Sequence, residues 1–138
     1  MNRTDFQIVA DDRVADARAL LDSGRWAAAY YLLGYAVECA FKACAAKRFR
    51  ESEVPEKSLV ASFYTHNLET LLIISEAKSI LADQAARDRR FALNWATVRE
   101  WHEGARYEHS ISEEDARKLY AAVCDPSSGV LQCLKTMW

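Results

Sequence analysis

From Arg25 to Glu51 the chain reads RWAAAYYLLGYAVECAFKACAAKRFRE, about seven helical turns without a proline. Gly34 is its only helix-weakening residue. At about 100° per residue, Trp26, Tyr30, Leu33, Val37, Phe41 and Cys44 share one stripe. Ala29, Ala36 and Ala40 lie beside it, and Leu32, Cys39 and Ala43 widen the apolar surface. Only Tyr31, Tyr35, Glu38 and Lys42 form a different wedge. A helix that is apolar on most sides needs neighbours on most sides, so this stretch predicts the central helix of a bundle. The Glu38–Lys42 spacing admits two readings: i,i+4 support of an exposed strip, or a polar strip facing a cleft or a second subunit.

A chain of 138 residues is the size of one domain, here residues 1–138, and can bury a working core. Only four glycines and two prolines, with hydrophobic residues at 51%, exclude a disordered or loop-rich chain. The periodic segments predict an all-α fold, an up-and-down bundle of five to six helices. The longest apolar run, Trp26–Ala36, is too short for a bilayer span, and the acidic N-terminus MNRTDFQIVADD does not read as a signal peptide. A cytoplasmic protein with no membrane association is expected. The net charge of −2 argues against a whole-surface binder of phosphates, leaving two local basic patches. These are Lys47, Arg48 and Arg50, where cations suit a helix C-terminus, and Arg87, Arg89 and Arg90. Of the four cysteines, Cys39 and Cys44 stand about 140° apart on one helix and cannot share a metal ion, and no C-x-x-C spacing occurs. Free thiols are expected, with no metal and no cofactor.

Along the chain, residues 1–10 read as a short lead-in, and Asp11 or Asp12 caps a first helix with Val14, Ala17 and Leu21 on one face. Gly24 stands where a left-handed helix end belongs, which makes a tight antiparallel hairpin with the central helix. Pro55 ends the central helix's reach, and ESEVPEKSLVASFY reads as a connecting loop. Thr65 or Asn67 caps a helix over Leu68–Ala77. A further helix from about Ser79 to Trp101 carries a charged middle, Ala86–Arg90, that can bend or break it. His102–His109 reads as a loop, Ser112-Glu113-Glu114-Asp115 as a capping box, and Asp125-Pro126 as a helix restart before Val130–Trp138.

Three histidines are the side chains suited to proton transfer near neutral pH. His66 reads as an ordinary polar residue at a helix start. His102 and His109 bracket Arg106, close to Arg99, Tyr107 and two glutamates. A histidine beside an arginine suits metal-free phosphodiester chemistry: one moves the proton of a ribose hydroxyl, the other stabilises charge on the phosphorane. The competing reading is that Arg106 pairs with Glu103, Glu108 or Glu38 and pins the loop. No glycine-rich phosphate loop, G-x-S-x-G or H-E-x-x-H is present.

Four features in order resemble the HEPN (higher-eukaryote and prokaryote nucleotide-binding) family. They are the hairpin with Ala29, Gly34-Tyr35-Ala36-Val37-Glu38-Cys39 and Lys42; His66-Asn67-Leu68-Glu69-Thr70-Leu71; Asn94-Trp95 with Trp101; and Arg106-Tyr107. Together they span about residues 10–138. The resemblance implies a helical bundle that forms a homodimer and pairs with a small nucleotidyltransferase in toxin–antitoxin or defence systems. Many members are metal-independent ribonucleases whose motif is an arginine followed four to six residues later by a histidine. In this chain only two residues separate Arg106 from His109, and two separate Arg99 from His102, so that spacing is missing. The resemblance therefore points first to a dimeric nucleotide- or RNA-binding partner of a nucleotidyltransferase, without the standard ribonuclease motif. The alternative is a ribonuclease toxin using Arg106 with His109 or His102, and a third reading is a structural dimerisation adaptor. Arg106, His109 and His102 are thus the candidate catalytic residues, and Glu38, Lys42, Tyr35, Tyr107 and Arg99 the candidate ligand-binding ones.

Overall fold

The computed structural model describes all residues 1–138. In chain order it contains α1 (Arg3–Asp22), α2 (Trp26–Ala46), α3 (Lys57–Phe63), α4 (Leu68–Ile74), α5 (Lys78–Arg87) and α6 (Arg89–Arg99). A 3-10 helix (Glu103–Tyr107), α7 (Glu113–Cys124) and α8 (Val130–Lys135) follow, and no strand is present. The all-α helical bundle is as expected. The expected five to six helices become eight because α3, α4 and α8 are short; five helices have ten residues or more.

Helix α2 is the centre. Twelve of its 21 residues are buried, and α1, α4, the 3-10 helix, α7 and α8 all contact it. Leu33, Val37 and Phe41 are fully enclosed, each stabilising the fold by roughly 1.5–3 kcal/mol through burial alone. The turn into α2 closes as a Schellman motif: Gly24 has φ +71°, Arg25 N–H donates to the Leu20 carbonyl at 2.8 Å and Gly24 N–H to that of Leu21 at 3.1 Å. Helix α2 stops at Ala46 rather than running to Glu51. There Lys47, Arg48 and Arg50 leave the apolar period, and Lys47, Arg48 and Phe49 switch to i→i−3 bonds.

Other boundaries move for local reasons. Helix α1 starts at Arg3, not near Asp11, because Asn2 and Asp5 form a reciprocal capping box at 3.0 and 2.8 Å. Phe6 and Ala10 continue its apolar face. The stretch read as a connecting loop contains α3, whose Phe63 packs edge-on against Phe6 at 5.5 Å and Phe49 at 5.2 Å. Asn67 caps α4 by accepting Thr70 N–H, and Glu76 at φ 60° ends the region before Ala77. The charged middle does break the long helix: Asp88 is extended and caps α6 by accepting Phe91 N–H at 3.1 Å. Ser112 caps α7 as expected. Asp125 does not restart a helix at Pro126; its Oδ1 accepts the N–H groups of Ser127 and Ser128, a turn that delays α8 to Val130.

Candidate functional site

The polar wedge of α2 is buried at its middle. Glu38 is 1% exposed, so the reading of an exposed strip is corrected. Two groups meet its carboxylate. Lys42 Nζ donates to Oε1 at 2.9 Å, and His66 Nδ1 lies 3.0 Å from Oε1 and 3.2 Å from Oε2. His66 comes from the segment just before α4, which Asn67 anchors as its cap. The Lys42 ammonium also lies over the Phe63 ring, 6.0 Å from its centroid. On the outer side His66 Nε2 is 3.7 Å from Glu103 Oε2, too long for a hydrogen bond but close for charges. A line of polar groups, Lys42, Glu38, His66 and Glu103, thus runs from the centre of α2 to the first residue of the 3-10 helix.

His66 opens into a cleft of about 630 Å³ between the start of α4, the end of α6 and the 3-10 helix. His102, Glu103, Arg106, Tyr107 and the Arg99–Glu69 pair also line it. Arg99 is occupied: its guanidinium forms a two-pronged pair with Glu69 at 2.7 and 2.8 Å. That contact pulls Glu69 below the ordinary carboxylate range and pushes Arg99 up. Arg106 is different. It pairs with no carboxylate and sits 4.8 Å from the centroid of Tyr107, a ring that is 76% exposed. Arg106 also lines a second hollow of about 620 Å³ with Arg25, Trp26, Tyr31 and His109.

The candidate residues are therefore distributed over three places. Arg99, His102, Arg106 and Tyr107 share the first cleft. His109 faces the second hollow, with Arg106 between the two. Glu38 and Lys42 stand behind His66 rather than on the cleft wall, and Tyr35 stacks on Tyr31 with ring centroids 6.3 Å apart. The residue that the sequence undervalued is His66. The signal that could have found it is the carboxylate itself: an acid in the middle of an apolar helix needs more than one partner.

Trp101 explains Gly34. Its indole lies against the α2 backbone where a methyl at position 34 would overlap the ring. The indole N–H is buried there with no acceptor. Tyr31 packs on the same ring at 6.1 Å. Gly34 is therefore a seat that fixes the end of α6 and, through it, His102 and Glu103.

Three of the six cations in the two basic patches, Arg48, Arg50 and Arg90, meet a carboxylate, and Lys47, Arg87 and Arg89 do not. Arg48 donates to the Ile74 carbonyl at 3.2 Å, closing the end of α4, and pairs with Glu76; Arg50 pairs with Glu53 and Arg90 with Asp125. All four cysteines are free. Burial, then the negative charge of Glu38, pushes the Cys39 thiol up to about 11, and burial does the same to Cys44. No helix is long and apolar enough to cross a membrane. No protein-family model, curated protein or solved structure matches the chain.

Proposed function

We propose that this chain is a HEPN-type bundle that binds nucleotide or RNA at the Arg106 cleft and acts as a dimer with a small nucleotidyltransferase. The observation that carries the binding reading is Arg106 itself. A guanidinium without a carboxylate partner, shared by two hollows and lying on an exposed tyrosine ring, suits a phosphate with a stacked base beside it. Arg99, by contrast, would have to leave Glu69 to meet a ligand. The homodimer and the nucleotidyltransferase partner rest on the ordered sequence features from Gly34 to Tyr107.

The test of binding is fluorescence anisotropy with a labelled single-stranded RNA and with ATP, at two salt concentrations. Wild-type protein binds, more weakly at high salt, and Arg106→Ala loses at least about tenfold in affinity while its thermal melt is unchanged. Absence of RNA and nucleotide binding by the wild type removes this reading. Co-expression with the nucleotidyltransferase of a neighbouring gene tests the partner: a stable complex supports it, and a clean solitary protein counts against it.

A further inference from the structure

We infer that the aromatic hollow between the start of α1, the end of α2 and α3 is a binding site for a small aromatic carboxylate. It shares no lining residue with either hollow at Arg106 and stands independently of the nucleotide-binding reading.

The hollow has a volume of about 560 Å³, within the range that takes a small organic molecule. Its lining is aromatic and comes from three parts of the chain: Phe6 of α1, Phe49 just past α2, and Phe63 of α3. The Phe63 ring stands edge-on to Phe6 at 5.5 Å, to Phe49 at 5.2 Å and to Tyr64 at 5.8 Å. The bundle core does not close over this cluster: Phe6 and Phe49 are half-buried and Tyr64 is 79% exposed. Aromatic rings gain from edge-to-face and offset contacts beyond the area they bury, so a flat ring extends the cluster better than an aliphatic chain does.

Charge selects the rest of the ligand. Arg3 and Lys47 line the hollow and no acid does. The Arg3 guanidinium reaches only the Trp138 carbonyl, at 3.4 Å, and the Lys47 ammonium has no hydrogen bond or ion pair. Asp5, the nearest acid in the sequence, is occupied by Asn2 N–H at 2.8 Å. The end of α2 does not cancel the cations either. Its Cys44, Ala45 and Ala46 carbonyls accept the N–H groups of Lys47, Arg48 and Phe49 at 3.3, 2.9 and 3.1 Å, which satisfies the negative helix end. Two cations without counter-charges beside an apolar lining favour an anion and repel an amine. The wall also carries no carboxylate to receive the ribose hydroxyls of a nucleotide, so a carboxylate on a flat apolar body is the better fit.

The site predicts its own structural signature. Helix α3 has seven residues, no side-chain cap and a single buried residue, Phe63. A ligand against Phe63 and Val60 adds burial to a helix that has little, and amide exchange in α3 slows on binding.

The experiment titrates 2-naphthoate into the nitrogen-15-labelled full chain at low salt, beside 2-naphthalenemethanol, which has the same rings without the charge. The acid binds saturably with a Kd below about 1 mM, and the alcohol binds at least about threefold more weakly. The largest amide shifts fall at Phe6, Phe49, Val60 and Phe63, and exchange slows in α3. Lys47→Glu, a change at an exposed side chain, weakens the acid at least about threefold and leaves the alcohol unchanged. Val60→Trp fills the hollow and removes both ligands, whereas Arg106→Ala alters neither. No saturable binding, or shifts centred on Arg106 and Tyr107, overturns the site. Equal affinity for acid and alcohol, or an indifferent Lys47→Glu, overturns the carboxylate. RNA binding measured on the same samples reports separately on the Arg106 reading.

Discussion

Helix α2 handles charge in two ways. At its middle, Glu38 and Lys42 are 1% and 11% exposed and their geometry is fixed by a third partner, His66. Beyond its end, Arg48 and Arg50 are 38% and 73% exposed and meet glutamates at 3.4 and 3.8 Å. The outer pairs stay solvated, so making or losing them changes stability little. The inner pair has been taken from water, which costs more than its mutual attraction returns unless every lone pair is satisfied. Leucines of similar volume would serve stability as well. The difference teaches that the inner charges are explained by what they orient and the outer ones by where a helix ends.

The largest expected effect breaks the inner set. Glu38→Ala leaves Lys42 enclosed without its counter-charge and loses about 3–5 kcal/mol in urea unfolding. The double replacement Glu38→Leu with Lys42→Leu regains most of that loss while leaving His66 without its orienting group. A single mutant within about 1 kcal/mol of wild type would show that the pair is hydrated in solution, and the contrast with the outer pairs would disappear.

Gly34→Ala comes next. Helix propensity alone would favour alanine by about 1 kcal/mol, but the added methyl must displace the Trp101 ring, so a net loss of about 2–3 kcal/mol is expected. A stabilised mutant in the same assay would mean that Trp101 does not occupy its seat.

The solvated pairs give smaller changes. Arg48→Ala and Arg99→Ala each lower stability by less than about 1 kcal/mol near neutral pH. The Arg99 effect has a defined pH dependence. Glu69 is lowered in the folded state from its ordinary value of 4.5, so its contribution is present above pH 4.5 and is lost as the pH falls through the lower folded value. Unfolding curves of wild type and Arg99→Ala should therefore converge in acid, and a constant gap would place the effect in packing instead.

The smallest effect compares two thiols on the same helix. Cys39 and Cys44 both stand near 11, so alkylation of the folded protein at pH 8 is slow. Burial is the main cause for both, but only Cys39 also faces the negative charge of Glu38. Glu38→Gln should quicken labelling at Cys39 relative to Cys44, as read by peptide mass spectrometry. Equal rates would show that the Glu38 charge is not felt at that sulfur.

What was legible in the sequence is what local spacing can encode. The period of α2, the glycine turn at Gly24 and the caps at Asn67 and Ser112 each depend on residues within a few positions of one another. The start of α1 and the whole of α3 were missed because their signals are a single capping pair and a seven-residue apolar face. Glu38 and Lys42 could be paired from their i,i+4 spacing, but His66 joins them from 28 residues away, across a turn that no periodicity fixes. Gly34 likewise reads as a weak point in a helix until Trp101 is seen against it.

That seat has a consequence for descent. Gly34 and Trp101 occupy one shared volume, so neither position is free to change alone. A lineage that acquires a side chain at 34 must first shrink the ring at 101, and a lineage that loses the ring opens a void that a larger residue at 34 then fills. Among chains that share this bundle the two positions are bound to drift together, and that correlated substitution is a mark of kinship which can outlast the rest of the sequence.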